Sequence, residues 1–381
     1  MTPEPGRTGG QGAAGAGGVV GQGAGVGAAG PGGPSTGPGG PSTGAGLHIV
    51  RFAPAKLNLT LAVIGQRDDG FHSLHSVMVP LLLGDALTVS VAPQGTSADT
   101  LRVSGLAVSA AQDNLVLRAL VAVRAAVASE HPRATATDLR PLSIRLVKRI
   151  PVAAGLGGGS SDAAAAVEAA LAAWQTSLAP ASRVAVAAEL GSDVPFFLAQ
   201  GAAVITGRGE FVEPLPAIEG EPPAVLLVTP GLRVSTAAVF GAYEAGARPA
   251  DPDRAMGTSE RLAAEFRVGI TTTALVARSQ EMAAANDLLP AAIAVAPDTE
   301  AFIRKLEKLL GRPVCQSGSG PTQWVMYPTL AEARKAVRLV RLAVARGNLP
   351  SPGDGELFAV ATTIAGPWAR QAVKAYGQPD G

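Results

Sequence analysis

Apolar and polar residues alternate along the stretch that starts at Lys56. Leu57, Leu59, Leu61 and Val63 fall on one side, and Lys56, Asn58, Thr60 and Ala62 on the other, which predicts a half-buried strand. Further strands are expected at 86–92 and 142–150. Between them, 114–129 is rich in Ala, Leu and Val and reads as a helix. An Ala-rich helix without internal Gly or Pro is expected over 160–175, and another from about 182 to 190, stopping at Gly191.

The second half opens with a strand at 224–229 and a helix at 236–245. The polar stretch 247–275 reads as an insertion or mobile loop. Helices near 276–285 and 298–310, a strand at 322–327, a helix at 330–346 and a strand at 356–364 complete the pattern. This order predicts an α+β fold with helices on one face of a sheet. Pro214, Pro216, Pro222 and Pro223 cluster between the halves, which places domains at 47–218 and 219–381.

Composition changes the picture mainly at the N-terminus. Residues 1–46 are low-complexity Gly, Ala, Pro, Ser and Thr, with Gly-Pro-Gly-Gly-Pro-Ser-Thr repeated at 30–36 and 37–43. Such a chain buries too little apolar area to offset its ordering entropy, so a disordered tail is expected. The 31 basic and 30 acidic residues leave a formal charge of +1, which argues against bulk binding to nucleic acid. Cys315 is the one cysteine, so no internal disulfide forms, and a reducing cytoplasm is the simplest location. No run of about 20 apolar residues predicts a membrane span, and no basic-then-apolar leader predicts a signal peptide. His48, His72, His75 and His131 are too scattered to suggest a zinc cluster.

Four segments carry candidate chemistry. The first is Pro151, Val152, Ala153, Ala154, Gly155, Leu156, Gly157, Gly158, Gly159, Ser160, Ser161 and Asp162, between a predicted strand and the Ala-rich helix. Its glycines permit close backbone approach, and Ser160 and Ser161 stand at a helix N-terminus, where free N–H groups attract anions. This is a phosphate cradle. It is neither a Walker A loop, lacking Gly-Lys-Ser/Thr, nor a dinucleotide fingerprint, since Ser160 stands where a third Gly would be. The second is Phe52 to Leu59, in which Lys56 and Asn58 share a strand face and could orient a hydroxyl; a plain solvated face is the alternative. The third is Gly191-Ser192-Asp193-Val194-Pro195, where Asp193 suits a general base or a structural helix cap. The fourth is the glycine turn Gln316 to Thr322, placed to close over a phosphate or to support the first loop. Cys315 beside it reads as a packed residue.

Together these segments resemble the GHMP kinases. Pro54 to Asn58, Pro151 to Asp162 and Ser317 to Pro321 are similar to that superfamily's three motifs. Arg67 to His72, Leu83 to Asp85, Asp113 to Leu115, Leu190 to Phe197, Gly207 to Glu210 and Asn286 to Leu288 resemble, within it, the kinases of cytidylylated methylerythritol. The likeness spans about 47–365. It implies a ribosomal-protein-S5-like N-terminal domain that binds ATP and a ferredoxin-like C-terminal domain. It also implies transfer of phosphate from ATP to the 2-hydroxyl of 4-diphosphocytidyl-2-C-methyl-D-erythritol, on the methylerythritol phosphate route to isoprenoids. By the same resemblance, Asp193 is the base or orienting carboxylate and Lys56 lowers the hydroxyl pKa. Asn58, Phe71, His72, Thr236 and Phe240 bind substrate, with His72 reading the cytosine edge and Phe240 stacking. Residues 151–161 hold the ATP phosphates. Mg²⁺ is expected, and its protein ligands are left open, with Asp193 and Ser161 as candidates. The family usually has Tyr where Phe71 stands, a change that keeps stacking and loses a hydroxyl. A small molecule is the expected partner, without nucleic acid or membrane. The alternatives are a homoserine or mevalonate kinase, a non-catalytic nucleotide-binding module, or a scaffold organised by the tail.

Overall fold

A computed structural model describes residues 48–106, 114–133, 138–199 and 201–366. The tail expected at 1–46 lies outside them. The first half runs β1 (Ile49–Asn58), β2 (Ala62–Gln66), β3 (His72–Val91), β4 (Thr100–Gly105), α1 (Leu115–Glu130), β5 (Leu142–Lys148), α2 (Gly158–Ala173), α3 (Pro180–Leu190), α4 (Val194–Leu198), β6 (Ala203–Gly207) and β7 (Phe211–Pro214). The second runs β8 (Ala224–Gly231), α5 (Thr236–Glu244), α6 (Arg254–Val268), α7 (Thr272–Ala277), α8 (Ser279–Ala283), α9 (Leu289–Val295), α10 (Asp298–Leu310), β9 (Cys315–Gln316), β10 (Gln323–Tyr327), α11 (Leu330–Ala345) and β11 (Gly355–Thr363).

The α+β class holds. Seven strands form one sheet, ordered β4-β5-β3-β6-β7 with β1 and β2 both paired to β3, and four form a second, ordered β11-β8-β10-β9. The sheets share a core. Leu57, Leu59, Val77 and Val79 of the first pack with Val225, Leu227, Trp324 and Met326 of the second. The remaining core positions turn elsewhere: Met78, of opposite parity to Val77 and Val79, and Leu87 and Val89, beyond Gly84 in β3, pack with α1 and α2, while the opposite parity of β8 and β10 (Ala224, Leu226, Val325 and Tyr327) packs with α10 and α11. Period-2 alternation with both faces apolar follows from this layering.

Three expectations need correction. The strand through Lys56 to Val63 is not half-buried. It breaks between β1 and β2, and Lys56, Asn58 and Thr60 are buried along with the leucines. The sequence pattern shows one apolar face, but the other is roofed by the rest of the molecule. The strand expected at 86–92 is the end of the 20-residue β3, which runs through Pro80 and Gly84. Pro80 sits at the register irregularity opposite Lys56, and at Gly84 a Cβ would lie 2.4 Å from the Phe52 ring. Residues that normally end a strand here mark a crossing point. The stretch 247–275 is not a loop. It holds α6, whose Leu262, Ala263 and Phe266 are buried against the inter-sheet core. Its apolar positions are diluted by Ser, Thr, Arg and Glu, which hid the helical period.

Phe266→Ala therefore should lower the unfolding free energy by about 3–5 kcal/mol, as for a large buried aromatic. Chemical denaturation measures it, and a loss below about 1 kcal/mol would return this segment to the surface.

Candidate active site

One cavity of about 980 Å³ opens between the glycine loop, β1 and α5. That volume is at the upper end for a small-molecule site. Its walls bring together Lys56, Asn58, Phe71, His72, residues 151–160, Asp193, Thr236 and Phe240, which the sequence scatters over almost 190 positions. Ser161 is the exception. It lies in the first turn of α2, buried, with its Oγ unpartnered and outside the lining.

The glycine loop is shaped by two close approaches. Gly155 takes φ +74°, and a Cβ there would sit 2.4 Å from the Ser317 carbonyl. Gly157 takes φ +68°, and its Cβ would press on Lys56 and Phe197 at 2.9 Å. Gly157 is also the N-cap of α2 and supplies no side-chain cap, so the first-turn N–H groups are available to an anion. The second loop braces the first: Ser317 Oγ donates to Gly155 O (2.9 Å), and Asn286 Nδ2 donates to Gln316 O and Gly318 O (3.1 and 3.0 Å). Thr236 Oγ1 bonds Ser319 Oγ at 2.9 Å, tying α5 to the same loop. Of the two roles expected for this turn, support of the first loop is what its hydrogen bonds perform. Gly318 and Ser319 also reach the cavity.

Lys56 is 4% exposed. Its Nζ donates to Asn58 Oδ1 at 2.6 Å and lies 3.6 Å from Asp193 Oδ2. Asn58 Nδ2 donates to Ser76 Oγ, which donates to the Thr60 carbonyl. Asp193 occupies the N-cap position of α4, with Pro195 in the first turn, yet makes no side-chain cap bond. Its carboxylate faces Lys56 instead, so capping is not what this side chain does.

Aromatic groups form the far wall. His72 stacks on Phe240 with centroids 5.0 Å apart and meets the edge of Tyr243 at 6.0 Å, and its Nε2 lies 3.6 Å from Glu244 Oε1. Phe71 is half-exposed, beneath the Arg208 guanidinium at 5.3 Å. Cys315 is buried, and burial pushes its thiol pKa up, which leaves it a packed residue.

Sequence reasoning missed one group. Lys148, lining the cavity behind the glycine loop, sits between Asp85 and Asp162 and donates to an oxygen of each. Asp85 Oδ1 also accepts from Ile150 N at 2.9 Å. A signal was present: Leu142, Ile144, Leu146 and Lys148 share one strand parity, and the first three are core. A lysine on core parity requires buried carboxylates. Arg208 falls within the Gly207 to Glu210 segment without a role of its own being read from it, and Glu244 was not singled out.

This arrangement, an anion cradle facing a buried Lys–Asp pair, is that of a small-molecule kinase of the GHMP class. The model of the GHMP kinases N terminal domain matches residues 104–201. A 4-diphosphocytidyl-2-C-methyl-D-erythritol kinase of Pelotomaculum thermopropionicum is 36% identical over 295 residues, covering 77% of this chain and 94% of that protein. A solved 4-(cytidine 5'-diphospho)-2C-methyl-D-erythritol kinase superposes with a TM-score of 0.58 at 28% identity, over 83% of this chain and 100% of the other. A homoserine kinase of Cytophaga hutchinsonii gives the same TM-score at 15% identity over 83% of this chain and 95% of its own, a likeness of fold alone. The chain belongs to the 4-diphosphocytidyl-2-C-methyl-D-erythritol kinase family. Among the described residues no helix is long and apolar enough to cross a membrane.

The buried triad yields a pH dependence. Burial pushes Asp162 from its ordinary 3.8 up to about 8, with Asp85 adding repulsion and Lys148 opposing it. The folded state thus holds this proton more tightly than the unfolded chain. The resulting stability is full below pH 4 and is lost as pH rises toward 8. Asp162→Asn should remove the loss, so the variant gains on wild type between pH 5 and pH 8 in denaturant unfolding. Parallel pH profiles would contradict the assignment.

Proposed function

We propose that this chain transfers the γ-phosphoryl group of ATP to the 2-hydroxyl of 4-diphosphocytidyl-2-C-methyl-D-erythritol, giving the 2-phosphate and ADP. The observation that carries this reading is the Lys56–Asp193 pair, 3.6 Å apart, in the cavity that also holds the glycine loop and the aromatic wall. We take residues 47–218 as the ATP-binding domain and 219–381 as its C-terminal partner, acting in the cytoplasm.

Phosphoryl transfer is mainly positioning and charge neutralisation. Residues 151–161 receive the ATP phosphates, through the N–H groups of 152–160 and the α2 N-terminus, while Ser161 continues the first turn through its N–H to Gly157 O. Asp193 accepts the proton of the attacking hydroxyl. The Lys56 ammonium stabilises the alkoxide that develops, and Asn58, fixed by Ser76, holds the hydroxyl's position. Phe71 and Phe240 sandwich the cytosine, and His72 hydrogen-bonds its edge. Thr236 closes the base pocket against the second loop.

A bound Mg²⁺ would supply charge neutralisation at the phosphates. Among the described residues no group of three or more His, Cys, Asp or Glu could hold a metal by itself. Mg²⁺ on a nucleotide needs only one or two protein carboxylates. Asp193 presents a partly exposed carboxylate to the cavity, so the residues fit a metal carried by ATP; Ser161 Oγ, buried outside the lining, does not reach it.

ADP release from MgATP is expected with the cytidylylated acceptor and not with homoserine; equal turnover of both would overturn the acceptor assignment. Asp193→Asn keeps the shape and should lower kcat by roughly 10²–10⁴ with ATP KM little changed. A near-normal kcat would remove Asp193 from the chemistry.

A further inference from the structure

The charges that line the cavity do not all have partners. Its lysines and arginine are Lys56, Lys148 and Arg208. Lys56 faces Asp193, and Lys148 sits between Asp85 and Asp162. Among the described residues no carboxylate lies within ion-pair distance of Arg208. Its guanidinium rests instead on the face of Phe71, 5.3 Å from the ring centroid.

The backbone that carries Arg208 is held on both sides. Arg208 N donates to Glu210 Oε2 at 2.6 Å, and Glu210 Oε1 accepts from Arg67 at 3.4 Å, in the turn that presents Phe71. On the other side Gly209, at φ +128°, packs so closely on Ser192 that a Cβ would lie 2.2 Å from the Ser192 carbonyl. Ser192 leads directly into Asp193. Arg208 thus bridges the base wall and the segment bearing the carboxylate that faces Lys56.

The inference rests on the acceptor named above. A cytidine diphosphate ester places two phosphate charges between its base and its reacting hydroxyl. The phosphates of ATP have the glycine loop, which leaves those of the acceptor to other groups of the cavity, and Arg208 is its one cation without a carboxylate at ion-pair distance among the described residues. We propose that Arg208 binds the diphosphate of the acceptor. A guanidinium engages phosphate oxygens through paired, charge-assisted hydrogen bonds. Stacking on Phe71 pre-orients its plane, and no existing ion pair must break first. The same arrangement compensates for Phe71 itself, whose ring keeps a face for the cation without a hydroxyl.

Calorimetric titration of CDP and of cytidine tests this, with a non-hydrolysable ATP analogue saturating the glycine loop, for wild type, Arg208→Ala and Arg208→Lys. Wild type should bind CDP more tightly than cytidine. Arg208→Ala should weaken CDP about 10- to 100-fold, the worth of one or two charge-assisted hydrogen bonds, and cytidine about twofold at most. Arg208→Lys should recover only part of the CDP affinity, because an ammonium keeps the charge and loses the paired, stacked geometry. In turnover the acceptor KM should rise while the ATP KM stays. Equal weakening of CDP and cytidine, unchanged CDP binding, or a loss confined to ATP would overturn the proposal. A wild-type protein that binds neither CDP nor cytidine would overturn the acceptor assignment itself, and this inference with it.

Discussion

A lysine buried to 4% exposure must have its charge met inside the protein, and most of the site follows from how Lys56 meets that demand. Asn58, Ser76 and the Thr60 carbonyl form a hydrogen-bonded line behind it, and Asp193 closes the front. Lys56 N also donates to Leu156 O at 2.9 Å, so the same residue anchors the glycine loop by its backbone. The loop cannot shift without moving the ammonium. Gly157 leaves room for the Lys56 side chain to pass, which makes the glycine a condition for the lysine's position.

The second sheet supplies the other half of the constraint. β8 and β10 bury one parity against β1 and β3 and the other against α10 and α11. The loop after β9 reaches from that sheet to the glycine loop through Ser317, and Asn286 fixes it from the turn between α8 and α9. Both halves of the chain therefore set the geometry of one cavity. A lone N-terminal half would leave the glycine loop unsupported at Gly155.

Much of this was legible in the sequence, for local reasons. Turn chemistry and helix caps are encoded within a few residues, so the glycine loop, the start of α1 at Asn114 and the stop of α3 at Gly191 could all be read directly. What failed depended on distant partners. The polar face of Lys56 and Asn58 looks solvated until α2 and the loops cover it. The 20-residue β3 contains Pro80 and Gly84, which only a crossing with β1 tolerates. The α6 helix hides its apolar stripe among Ser259, Glu260 and Arg261, and Ser259 is itself buried, bonded to Thr60 and His75. Lys148 was readable from strand parity, whereas its partner Asp85, 63 positions away, was not.

The account rests on one cavity serving two phosphorylated molecules at separate ends. A crystal structure of the ternary complex with a non-hydrolysable ATP analogue and 4-diphosphocytidyl-2-C-methyl-D-erythritol tests it most directly. The account predicts ATP phosphates on the N–H groups of residues 155–160. It also predicts the acceptor 2-hydroxyl within hydrogen-bonding distance of Asp193 and Lys56, with cytosine at His72. An acceptor whose diphosphate occupied the glycine loop, or whose 2-hydroxyl lay far from Asp193, would contradict it.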